Sequence, residues 1–141
     1  MSTSRPAGGQ DIRDDVDEVP VEMRVAGLIV MGYVHAQRGR RFALEQTVGA
    51  LVALGSGAVR EQLDAMAERL GGASGFTLDP GTAPLTAYRA GLVFAGHRLG
   101  DMTARDALVE QLPRRELCEL MAVMALLAAS AERHPPLAGR G

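Results

Sequence analysis

At 141 residues and a formal net charge of -2, the chain is sized for one domain and has no long-range pull toward nucleic acid or an anionic membrane. Apolar residues make up 47% and charged residues 23%, the balance of an ordinary soluble globular protein. A single cysteine, Cys118, excludes an intrachain disulfide and the usual zinc spacings.

The composition has a genomic signature. Lys, Asn and Trp are absent and all 15 basic residues are Arg. Lys and Asn use AT-rich codons, so this pattern points to a GC-rich bacterial genome. Arginine abundance is then poor support for phosphate recognition.

Residues 1–18 are polar and carry the acidic cluster Asp14, Asp15, Asp17 and Glu18. They cannot bury enough apolar surface to offset the entropy of ordering, which predicts a flexible acidic arm. The arm lacks the layout of a secretory signal, and the longest apolar run (residues 117–131) is too short and too Ala-rich for a membrane span. The expectation is a cytoplasmic protein with no membrane partner.

Pro20 suits the first turn of a helix that runs to about Arg38, with Gly39 punctuating. A second segment spans Arg40 to Leu54 and ends at Gly55-Ser56-Gly57. The third, Ala58–Leu70, is the clearest amphipathic helix, with Val59, Leu63, Met66, Ala67 and Leu70 on one stripe. Ala73–Ala83 is the longest break and contains the turn sequence Asp79-Pro80-Gly81. Pro84 opens a fourth helix through Leu99, and Gly100 ends it. Thr103 can cap a fifth, with Asp106 as an acidic capping-box partner. Pro113 starts a sixth that continues to about Arg133.

These elements predict an all-α, compact bundle of about five to seven helices joined by short Gly/Pro turns, with the long break separating two three-helix halves. Residues 19–133 form the single helical domain, and residues 134–141, with Pro135-Pro136 and two glycines, a flexible tail.

Two segments are apolar all the way round a helix: Val25–Ala36, and Leu117–Ala129 with Glu119 its only charge. Such helices are buried all round, and a domain of this size ordinarily centres on one of them. Two argue for a homodimer through helix one or helix six, and the small residues Ala26, Gly27, Gly32 and Ala36 would allow close helix approach. The function expected on this reading is a small non-catalytic regulatory or accessory module. It would act through self-association and a protein partner surface.

The alternative is a small enzyme or ligand-binding protein with an apolar pocket between helices one, four and six. His35, Tyr33, Tyr88 and Arg89 are its candidate residues, since a histidine near its ordinary pKa is suited to proton transfer. Their ordinary structural roles compete with this: His35 ends an apolar face, and Tyr88 lines up with Leu92, Ala95 and Leu99 as a core residue would. Low aromatic content also argues against a small-molecule pocket. His97 and Arg98 fit the stabilising charge pattern of a helix C-terminus, as do Arg38, Arg40 and Arg41 after helix one. Arg114 and Arg115 stand in a first turn, where the macrodipole disfavours cations, so they are candidate binding residues for an anion or for carboxylates such as Glu116, Glu119 or the acidic arm.

No cofactor is implied. Walker, Rossmann and nucleophile-elbow patterns are absent, as are Glu-x-x-His and His-Glu-x-x-His metal motifs, and His35, His97 and His134 are widely separated. Cys118 reads as a small buried hydrophobe. Two segments have helix-turn-helix length, Gln46–Leu63 and Asp106–Leu120, but the first has a net acidic second helix and the second runs on into apolar turns. Both features oppose nucleic-acid binding.

Overall fold

The computed structural model describes residues 19–132, and these fold as six α-helices with no strand among them. They are α1 (Val21–Gln37), α2 (Arg41–Leu54), α3 (Ser56–Gly71), α4 (Pro84–Leu99), α5 (Thr103–Gln111) and α6 (Arg114–Ala131). The expected acidic arm and C-terminal tail, with His134, lie outside the described residues.

The helix ends follow local chemistry. α1 and α4 stop where Gly39 and Gly100 adopt positive φ, 68° and 74°. In each the next residue's N–H reaches back five residues, from Arg40 to the His35 carbonyl and from Asp101 to the Gly96 carbonyl, both at 2.9 Å. This is the Schellman closure, which a side chain with a Cβ disfavours. α5 begins differently from the expectation. Thr103 opens the helix and does not cap it with Asp106; the Asp101 carboxylate accepts from the Thr103 N–H at 3.0 Å and its hydroxyl at 2.7 Å. These bonds, the hydroxyl's foremost, hold the Asp101 carboxyl below its usual range.

Of the two helices that read as apolar all round, only α6 is central. Ten of its residues are buried, among them Leu120, Met121 and Met124 with no exposure at all. It packs on α1, α2, α3 and α4, so the last of the described helices sits among the first three and the two sequence halves interlock. Gln62, buried on α3, donates to the Met121 carbonyl at 3.1 Å and ties α3 to that centre. Ser130 clamps the long connection, accepting from the Thr77 N–H at 2.8 Å while donating to Leu127 O at 2.8 Å.

α1 lies at the periphery. It buries only Val25, Gly32, Tyr33 and Ala36, with Gly32 against Thr47 and Leu44 of α2. Among the described residues α2, α3 and α6 together cover a single side of it, so the expectation of burial all round is not met there.

Candidate functional site

Two apolar helix faces are left uncovered by the described residues. On α1, Met23 is 64%, Val30 57% and Met31 52% exposed, and Ala26 and Gly27 between them are also exposed. At 100° per residue, Met23, Gly27, Val30 and the half-buried Val34 fall on one stripe. Folding leaves that stripe facing outward.

The second face runs along α4. Tyr88, expected to be core in line with Leu92, Ala95 and Leu99, is 64% exposed, and so the alignment has the opposite meaning. Leu85, Tyr88, Leu92, Ala95 and Leu99 repeat at alternating intervals of three and four, the spacing of a coiled-coil seam. Leu85 and Leu99 are exposed and Leu92 is half-buried. The opposite side of the helix, with Thr86, Ala90 and Val93, holds the core contacts.

The four candidate pocket residues do not converge. Tyr33 is buried between α1 and α3, where the Arg69 guanidinium stacks 4.0 Å above its ring. Burial first, and the nearby Glu132 carboxylate second, push its hydroxyl up to about 12, with Arg69 pulling the other way. The hydroxyl is enclosed and closes no hydrogen bond of ordinary length. His35 is half-buried on another side of α1, its Nδ1 enclosed and unbonded. Tyr88 faces outward on α4, and Arg89 is engaged by Glu116 at 2.8 Å.

The pocket expected between helices one, four and six is divided. A cleft of about 570 Å³ opens between α2, the start of α4 and α6, with Thr86 and Cys118 inside and Arg41, Glu45, Arg115 and Glu119 around it. A second, of about 460 Å³, lies between the end of α1, the long connection and α6. Arg41, paired with Asp79 at 3.3 Å, borders both. Arg41 is therefore the opening residue of α2, anchored to the connection, and no part of the C-terminus of α1. Cys118 is half-buried, and burial pushes its thiol up against the pull of Arg114, so the neutral form prevails at physiological pH.

Arg114 and Arg115 resolve into separate local contacts. Arg114 donates to the Gly49 carbonyl of α2 at 3.3 Å, and Arg115, 90% exposed, lies 3.9 Å from Glu119. Glu116 is taken by Arg89. His97, at the C-terminal end of α4, meets Glu68 of α3 at 2.9 Å.

A third cleft, of about 410 Å³, runs between α1 and α3 and borders the open α1 stripe: Ala26, Ile29, Val30 and Tyr33 line one wall, Glu61, Asp64, Ala65 and Arg69 the other. Asp64 is held by Arg105 of α5, which also bonds Asp106. Burial works against the Arg105 charge, yet the two carboxylates outweigh it and its pKa ends above the ordinary range. Neither Glu61 nor this network stood out in the sequence, because α3 read only as a helix with a solvated polar side.

Among the described residues no group of His, Cys, Asp or Glu could hold a metal ion, and no helix is long and apolar enough to cross a membrane. The chain matches no protein-family model, no curated protein and no solved structure.

Proposed function

We propose that this protein is a non-catalytic helical interaction module that associates with itself through α1 and with a helix of a partner protein through α4. The observation that carries this reading is the pair of outward apolar faces on a chain whose core is already closed around α6. The largest contiguous apolar patch on a monomer is often a functional surface.

The two faces suit different occupants. α1 is bordered by charges of both signs, Glu22 on one side and Arg24 and Arg38 on the other, so a second copy can satisfy the first. α4 contains no carboxylate; its seam is bordered on one side by the exposed Arg98 and on the other by Arg89, which is paired with Glu116 of α6. Heptad spacing with a basic border at Arg98 fits a foreign amphipathic helix with an acidic border better than another α4.

Sedimentation equilibrium of the full chain tests the reading. A reversible monomer–dimer equilibrium in the micromolar range, unchanged by Leu99→Glu, is the expected result. A wild-type chain that stays monomeric throughout that range removes self-association, and a dimer abolished by Leu99→Glu exchanges the roles of the two faces.

A further inference from the structure

Building on self-association through α1, we infer that two copies pair with their α1 helices parallel, placing Arg24 of each copy at the mouth of the α1/α3 cleft of the other. The charges beside the stripe decide the direction. With Met23, Gly27, Val30 and Val34 at the centre, helical geometry puts Arg24 and Arg38 on one flank and Glu22 on the other. The cleft also lies on the Glu22 flank, since Ala26, Val30 and Tyr33 line it.

Tyr33 meets Arg69 at one end of that cleft, so the lining of α1 from Ala26 to Tyr33 runs alongside α3 from Glu61 to Arg69. Glu61 therefore stands at the level of the first turns of α1, close to the height of Arg24. Among the described residues the side chains of Glu22, Arg24, Arg38 and Glu61 have no ion-pair or hydrogen-bond partner.

A twofold axis along the helices brings each flank against the opposite flank of the partner copy. Arginine then meets carboxylate on both sides, and the Arg24 of one copy completes a cleft wall that holds an unpaired Glu61. A twofold axis across the helices turns the arginine flank of each copy toward that of the other and sets Glu22 and Glu61 of the two copies at opposite ends of the pair, so Arg24 has no carboxylate opposite it.

The apolar stripe is too small to hold a pair by itself. The exposed parts of Met23, Ala26, Gly27, Val30 and Met31 offer on the order of 400 Å² per copy, so the stripe alone buries roughly 800 Å² in a pair, below the usual size of a stable interface. The flanks and the cleft mouth extend it.

Cysteine cross-linking reads the direction in the full chain, in a Cys118→Ala background. Met23→Cys and Val34→Cys lie about 16 Å apart along the helix. Parallel pairing brings each position against itself, so both variants cross-link homotypically under mild oxidation and a mixture gives no preferential 23–34 product. Preferential 23–34 cross-linking overturns the parallel arrangement while leaving self-association intact. A dimer by sedimentation that cross-links at neither position overturns the use of α1, and a monomer defeats the underlying functional reading instead. Arg24→Glu weakens the dimer about tenfold in the parallel pair, and Glu61→Arg added to it restores most of the loss, because two exposed ion pairs change together. Absence of that rescue in a pair that cross-links homotypically overturns the Arg24–Glu61 contact.

Discussion

Val30→Glu separates a face kept for a partner from a face that merely failed to be covered. Val30 is 57% exposed on an interior turn of α1, so within one protomer the change removes few contacts and places a better helix former at a solvated position. Protomer stability should stay within about 0.5 kcal/mol. Association should respond very differently. Covering the exposed half of a valine is worth roughly 1 kcal/mol per copy. Each introduced carboxylate adds a desolvation cost of at least about 1 kcal/mol where it finds no donor. Over two copies the dimer should lose about 4 kcal/mol or more, near a thousandfold in Kd. Sedimentation across the micromolar range measures the second effect, and urea unfolding at low protein concentration measures the first. Unchanged association with unchanged stability would refute the placement of the interface on α1. A concentration-independent loss of more than about 1 kcal/mol in unfolding would show that Val30 is closed within the protomer.

The core and the helix ends give further tests. Leu120→Ala, at a position with no exposure on the central helix, should cost about 2–5 kcal/mol in chemical denaturation. A Cβ at Gly96 would stand 2.5 Å from the Asp101 carbonyl oxygen, which the Schellman turn fixes, whereas Gly91 has open space around it. Gly96→Ala should therefore destabilise by about 1–2 kcal/mol despite its better helix propensity, and Gly91→Ala should stabilise by up to about 1 kcal/mol in the same thermal assay. Cys118 should alkylate more slowly than free cysteine at neutral pH and accelerate as the pH rises; a faster reaction than free cysteine would contradict the burial that raises its pKa. Absorbance titration should show one tyrosine resisting ionisation to about 12, a behaviour that Tyr33→Phe removes. Since the folded-state pKa lies above the unfolded value near 10, this group's contribution to stability is complete below pH 10 and is lost as the pH rises toward about 12.

The helices were legible because their punctuation is local. Gly39, Gly55 and Gly100, Pro84 and Pro113 each act on the chain within a turn, and the observed boundaries follow them to within three residues. The cap of α5 was misread at the same scale. The N-cap position falls on Met102, and Asp101 just before it accepts from Thr103, because of where the Gly100 turn delivers the chain, which composition does not encode. Glu61, Asp64 and Arg105 were illegible for a longer-range reason. They lie on two helices, with Asp64 and Arg105 41 residues apart, and each alone is an ordinary surface charge.

The divergence between α1 and α6 shows what periodicity can and cannot report. Both read as apolar on every side, and the pattern says only that each side is covered by something. It does not say whether the cover comes from the same chain. α6 enters last and packs on four helices, so the protomer itself answers the requirement. α1 enters first, at an edge, and its neighbours reach one side only, which leaves Met23, Val30 and Met31 unanswered. The same logic corrects Tyr88: its alignment with Leu92, Ala95 and Leu99 was real, but a three-four repeat describes a seam against another helix, and no helix of the described residues lies on it. An apolar pattern of that kind, left uncovered by the described residues, is the feature on which the proposed partner surfaces rest.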